Sequence, residues 1–106
     1  MGFFDFLIGA DINQGLEEYK NTEGAVLLDV RSPEEYRQGH IPGSINIPLD
    51  QIKKIQNRVP QRDKPLFVHC LSGSRSAQAV QALKQMGYTG VKNIGGINRY
   101  KGKIEV

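Results

Sequence analysis

Short apolar runs alternate along this chain with segments whose apolar residues recur at helical spacing. Continuous apolar runs bounded by turn residues are typical of strands buried on both faces of a sheet. The predicted strands are residues 25–28, 45–47, 66–69 and 91–94, with a short edge strand at 11–13.

Helical segments lie between these strands. Ser32 has the features of an N-cap, because Pro33 occupies the first helical position and Glu35 can close a capping box. The predicted helices cover residues 14–19, 33–38, 50–57 and 76–86.

The alternation of strands and helices predicts an α/β domain with a mainly parallel central sheet. In such sheets, ligands bind beyond the carboxyl ends of the strands. Asp29, Cys70 and Gly95 each follow a predicted strand. These three residues are therefore expected at one edge of the sheet.

Size and composition fit one globular domain, with 106 residues, of which 39% are hydrophobic and 24% charged. We assign residues 11–106 to this domain and residues 1–10 to an apolar N-terminal arm. An exposed apolar arm favours packing on the body or on a second copy, so monomer and homodimer both stay open.

No apolar run approaches the roughly 18 residues of a membrane span. The arm also lacks the basic start of a signal peptide.

Cysteine and charge content narrow the possible functions. A single cysteine excludes an intrachain disulfide and a cysteine-rich zinc site, and it suits a reducing compartment such as the cytoplasm. No His, Cys or carboxylate cluster has metal-ligand spacing, so we expect no metal and no cofactor. The net charge is +3, and the densest basic stretch, residues 53–64, lacks aromatic interleaving or a nucleic-acid motif. Neither nucleic acid nor membrane is expected as a partner.

The single cysteine, Cys70, lies between a predicted strand and a predicted helix. Backbone N–H groups at a helix start have no intrahelical partner, and the helix dipole makes that end positive. A thiolate is stabilised in such a place, so we expect a lowered thiol pKa and partial exposure. His69 precedes Cys70 in the strand and should point to the opposite face, which favours a structural role over that of a base.

The loop after Cys70 has the composition of an anion-binding nest. Gly73 permits a positive φ, and small serines allow successive N–H groups to converge. Arg75 carries a fixed charge that could either hold an anionic donor or brace the loop. The candidate loop residues are Leu71, Ser72, Gly73, Ser74 and Arg75.

Several motifs, in order, closely resemble those of single-domain rhodanese-like proteins. They are residues 28–36, 39–48 and 68–76, the pair Gly87-Tyr88 and the pair Gly95-Gly96. The resemblance runs from about residue 25 to residue 96. It implies the rhodanese fold, a five-stranded, mainly parallel sheet with helices on both faces.

The resemblance also implies a sulfurtransferase mechanism. The cysteine matching Cys70 would attack the outer sulfur of a donor such as thiosulfate, and a thiol or cyanide would then remove the sulfur from the resulting persulfide. A protein acceptor remains a further option. The N–H groups from Leu71 to Arg75 would cradle the persulfide, while Asp29 and Arg31 would brace the site.

Two alternatives remain open. Cysteine-dependent phosphatases and arsenate reductases of the same fold place five residues between cysteine and arginine, whereas four separate Cys70 from Arg75 here. The shorter loop makes the anion cradle smaller. The second alternative is a sulfur-carrier or protein-interaction module whose turnover depends on a partner.

Overall fold

A computed structural model describes residues 10–106 of the chain, and strands alternate with helices along them. The strands are β1 (Val26–Asp29), β2 (Ser44–Asn46), β3 (Leu66–Cys70) and β4 (Val91–Gly96). The helices are α1 (Ile12–Lys20), α2 (Pro33–Gln38), α3 (Ile55–Arg58) and α4 (Ser74–Gln85). Two 3-10 helices, Leu49–Lys54 and Ile97–Arg99, precede α3 and follow β4.

All four strands form one parallel sheet in the order β2-β1-β3-β4. Asp29 pairs with His69 in register, while His69 and Cys70 pair with Gly95 and Gly96. The ends of β1, β3 and β4 therefore meet at one edge. The prediction that Asp29, Cys70 and Gly95 share this edge is confirmed.

The described residues contain four strands, not the five expected, and the predicted edge strand at 11–13 is wrong. Asp11 is instead the N-cap of α1, and its Oδ1 accepts the backbone N–H of Asn13 at 3.0 Å. Ile12 and Leu16, four residues apart, are buried on one face of the helix. An Asp cap followed by that spacing favours a helix over a strand.

Helices cover both faces of the sheet, as predicted. Leu28 and Val68 point to one face, where they pack in a core with residues of α3 and α4. Their neighbours Leu27 and Phe67 point to the other face and pack with α1. This alternation follows from the period of two in a strand. For the same reason, the side chains of Cys70 and His69 lie on opposite faces of the sheet.

The two helices that begin near the carboxyl ends of β1 and β3 have different N-terminal caps. The predicted capping box of α2 is confirmed, because Ser32 Oγ accepts the N–H of Glu35 and the Glu35 carboxylate accepts the N–H of Ser32. Helix α4 begins at Ser74, two residues earlier than predicted, after Gly73 in the left-handed region. Ser74 and Arg75 therefore belong to the first turn of α4.

The predicted apolar arm, residues 1–10, lies outside the described residues apart from Ala10. None of the helices within residues 10–106 is both long and apolar enough to cross a lipid bilayer.

Candidate functional site

Cys70 is the last residue of β3, and its side chain lies on the sheet face that α4 covers. The residue is only 1% exposed, so the expected partial exposure of the thiol is wrong. Leu71, the next residue, is 44% exposed. A buried sulfur is therefore followed in the sequence by an exposed apolar side chain.

Hydrogen-bond donors converge on the Cys70 sulfur. The backbone N–H groups of Gly73 and Ser76 donate to Sγ at 3.0 and 3.3 Å, and the Ser76 hydroxyl lies 3.5 Å from it. Burial of the thiol raises its pKa. The Ser76 hydroxyl and the N–H groups of Ser76, Gly73 and Ser72 outweigh burial, so the net pKa of Cys70 is lowered. Donors from the loop and from the first turn of α4 therefore surround the sulfur.

Strand β4 and the 3-10 helix after it donate hydrogen bonds to two carbonyl groups of the loop. The Leu71 carbonyl accepts the backbone N–H of Asn98 at 3.1 Å, and the Gly73 carbonyl accepts Nδ2 of Asn93 at 3.3 Å. The N–H of the next residue points opposite to a peptide carbonyl, since the peptide unit is planar and trans. The N–H groups of Ser72 and Ser74 are thereby aimed away from the held carbonyls.

Two glycines allow this arrangement. Gly73 has φ of 107°, a conformation that residues with a Cβ rarely adopt. At Gly96, a Cβ would lie 2.2 Å from the Leu71 carbonyl oxygen, so only glycine lets β4 approach the loop this closely. Both glycines were identified from the sequence, Gly73 in the loop composition and Gly96 in the Gly95-Gly96 pair. The contact between Asn93 and the loop was not predicted, because no residue near Asn93 in the sequence indicates it.

Arg75 pairs with Glu35 of α2. Nη1 and Nη2 donate to the two carboxylate oxygens at 2.7 and 3.0 Å, and these bonds are the main reason why the pKa of Glu35 falls to about 2. The Arg75 charge is therefore balanced by a carboxylate, and the pair ties the loop to α2. Of the two roles considered for Arg75, this contact corresponds to the brace.

Asp29 and Arg31 form a second ion pair behind the site. Nε of Arg31 lies 3.1 Å from both carboxylate oxygens of Asp29, and Nη2 lies 2.8 Å from Oδ2. Burial raises the pKa of Asp29, but His69, with Nε2 at 3.4 Å, and Arg31 outweigh burial and lower the pKa to about 2. Asp29 and His69 occupy the sheet face opposite Cys70. The structure therefore brings Asp29 and Arg31 to each other, and neither makes a hydrogen bond to the sulfur.

Two open cavities flank the loop. One of about 300 Å³ borders Ser72, Gly73 and Gly96, and another of about 470 Å³ borders Arg75, Ser32 and Leu49. In the part of the chain that the structure describes, no three His, Cys, Asp or Glu side chains group closely enough to hold a metal ion. The loop that follows Cys70 therefore borders open space on two sides.

We expect Cys70 to react as a thiolate at neutral pH. The rate of alkylation by iodoacetamide, followed against pH, should have a midpoint clearly below the ordinary thiol pKa of about 8.5. The urea-unfolded chain is the matched control, because Cys70 is its only thiol. Equal midpoints in the folded and unfolded chains would contradict the prediction.

Comparison with known proteins identifies the family. The model of the rhodanese-like domain matches residues 13–103. The thiosulfate sulfurtransferase PspE of Escherichia coli is 46% identical over 71 residues, which are 66% of this chain and 68% of that protein. The putative sulfur carrier protein YrkF of Bacillus subtilis is 37% identical over 95 residues, and the match covers 85% of this chain and about half, 51%, of YrkF.

A solved structure agrees with these matches. The structure titled "rhodanese with anions from E. coli" superposes with a TM-score of 0.71 at 40% sequence identity, covering 76% of this chain and 96% of that one. The fold, the cysteine loop and the sequence matches agree, and the chain belongs to the rhodanese-like domain family of the sulfurtransferase superfamily.

Proposed function

We propose that this protein is a sulfurtransferase that carries sulfane sulfur as a persulfide on Cys70. The observation that supports this most directly is the convergence of the Gly73 and Ser76 N–H groups on the sulfur of the only cysteine. Such donors stabilise a thiolate before the reaction and the polarisable persulfide after it. Similarity to a thiosulfate sulfurtransferase supports the same chemistry.

The reaction has two displacement steps at sulfur. With thiosulfate as donor, the Cys70 thiolate attacks the outer sulfur, a new S–S bond forms, and the donor's S–S bond breaks, with its electron pair leaving on sulfite. An acceptor thiolate or cyanide then attacks the terminal sulfur of the persulfide. This second step breaks the Cys70–sulfur bond and returns the thiolate, so no external oxidant or reductant is consumed.

The loop residues Leu71, Ser72, Gly73, Ser74 and Arg75 would form the persulfide cradle through their backbone N–H groups. Arg75 would support the conformation of the cradle more than it would add positive charge to it, because its guanidinium is already paired with Glu35. Asp29 and Arg31 would support the edge of the sheet from behind. The unpaired thiol suits a reducing compartment, and we propose a cytoplasmic site of action.

A second candidate, a sulfur carrier that works with a partner protein, is favoured by one observation. Leu71 is 44% exposed beside the nucleophile, where an apolar side chain could meet a partner's surface. Similarity to a putative sulfur carrier supports this candidate as well. A phosphatase is less well supported, because only four residues separate Cys70 from Arg75.

Intact-mass measurement separates these candidates. Purified protein is treated with thiosulfate, desalted, weighed, then treated with glutathione and weighed again. A sulfurtransferase gains the mass of one sulfur atom and loses it to the thiol. A partner-dependent carrier gains the sulfur but keeps it. Failure to gain sulfur from thiosulfate or from an organic persulfide, together with vanadate-sensitive hydrolysis of aryl phosphates, would overturn the proposal.

A further inference from the structure

The hydroxyl of Ser76 has more hydrogen-bond acceptors around it than protons to give. Its Oγ lies 2.7 Å from Oδ1 of Asn93, 3.0 Å from the Gly73 carbonyl oxygen and 3.5 Å from Sγ of Cys70. A hydroxyl carries one proton and can accept from other groups. Only one of the three neighbours can receive the Ser76 proton at a time.

The orientation of the Asn93 amide follows from its neighbours. Its Oδ1 faces the backbone N–H of Gly95 at 3.0 Å, which can only donate, while Nδ2 faces the Gly73 carbonyl, which can only accept. Oδ1 is therefore the amide atom that faces Ser76, and it is the nearest acceptor for the hydroxyl proton. Asn93 competes with the sulfur for that proton.

We propose that Asn93 is a positioning residue that controls which atom receives the Ser76 hydroxyl proton. While Cys70 is a thiol, its S–H donates to Ser76 Oγ and the hydroxyl donates to Asn93 Oδ1. When the thiol proton leaves to solvent, or when a persulfide forms, the hydroxyl rotates and donates to the sulfur. The proposal rests on the proposed function only in taking Cys70 as the nucleophile.

Rotation of the hydroxyl leaves no oxygen without a donor. Asn93 Oδ1 keeps the Gly95 N–H, and the Gly73 carbonyl keeps both the Ala77 N–H at 3.1 Å and Asn93 Nδ2. The cost of leaving a buried acceptor unpaired is therefore avoided in both states. Ser76 is fully buried, so water does not take the place of these partners.

Other charged groups around Cys70 are already paired. From the first turn of α4, Arg75 pairs with Glu35 of α2. From the opposite face of the sheet, Asp29 pairs with Arg31 and lies beside His69. The Ser76 hydroxyl can change its acceptor by rotation alone. Asn93 Oδ1 is the acceptor that competes with the Cys70 sulfur for its proton.

A double-mutant cycle tests the proposal through the pKa of Cys70, read from iodoacetamide alkylation of unloaded protein. Asn93→Asp keeps the size of the side chain but makes it a carboxylate that retains the hydroxyl proton. It should raise the pKa by two routes, its charge and the loss of the Ser76 donor. The charge and the loss of the Nδ2 donor to the Gly73 carbonyl act in both the wild-type and the Ser76→Ala backgrounds, whereas the Ser76 donor is lost only where Ser76 is present. We expect the shift to be larger by about one unit when Ser76 is present.

Equal shifts in the two backgrounds would overturn the proposal, since Asn93 would then act without Ser76. If Asn93→Asp does not fold, Asn93→Ala replaces it in the same cycle. That variant also removes the Nδ2 donor to the Gly73 carbonyl in both backgrounds, but it frees the hydroxyl proton only where Ser76 is present. The two shifts should therefore differ, and equal shifts again contradict the proposal. Alkylation requires no sulfur transfer, so this result is independent of the persulfide measurement that tests the proposed function.

Discussion

Cys70→Ser is expected to abolish sulfur transfer while leaving the fold intact. No other thiol is present to carry the sulfur, and a serine hydroxyl is not ionised at neutral pH. Loss of a covalent nucleophile should reduce the formation of thiocyanate from thiosulfate and cyanide by at least about a thousandfold. The fold should tolerate the change, because the serine oxygen can accept the same Gly73 and Ser76 N–H groups.

Two controls accompany this variant. Its thermal unfolding midpoint is compared with that of the wild type, to exclude loss of activity by unfolding. Wild-type protein alkylated at Cys70 supplies an independently blocked thiol with an unchanged sequence. Thiocyanate formation by folded Cys70→Ser at the wild-type rate would rule out the persulfide mechanism.

Asp29→Ala should produce the largest loss of stability among single changes at the site. The substitution leaves the buried Arg31 guanidinium without its carboxylate, and breaking a buried pair costs about 3–5 kcal/mol. Urea unfolding measures the change. Glu34→Ala is the matched control, because the Glu34–Arg37 pair is exposed and should contribute at most about 1 kcal/mol. Equal losses in the two variants would contradict a buried, stabilising role for Asp29.

The pH dependence of this difference follows from the lowered pKa of Asp29. The carboxyl has a pKa of about 2 in the folded protein against an ordinary value of 3.8. Its stabilising contribution is therefore complete above the ordinary pKa and is lost as pH falls through about 2. The stability gap between wild type and Asp29→Ala should narrow between those two values, and a constant gap would exclude ionisation as its source.

Local signals in the sequence account for the elements that were predicted well. The apolar run before Asp29 became β1, and the Ser32–Glu35 box became the start of α2, because both depend on residues close in sequence. The strand predicted at residues 11–13 was wrong for a reason that is also local, since the Asp11 side chain caps the following helix.

The rest of the site depends on contacts between distant parts of the chain. Arg75 and Glu35 are 40 residues apart, and Ser76 and Asn93 are 17 apart. Charge and spacing around either residue do not indicate such partners, because the pairing exists only after the sheet has brought the elements together. The loop could be located from the sequence, but the partners that orient it could not.

The contacts from β4 and the turn after it also set an order of assembly. Asn93 and Asn98 hold two loop carbonyls, and Gly96 lies against Leu71, yet all three follow Cys70 by more than twenty residues. During synthesis the chain emerges from its N-terminus, so Cys70 is made before the strand that orients its loop. Until that strand docks, we expect the thiol to ionise as an ordinary cysteine does, and the lowered pKa of Cys70 to arise together with the completed fold.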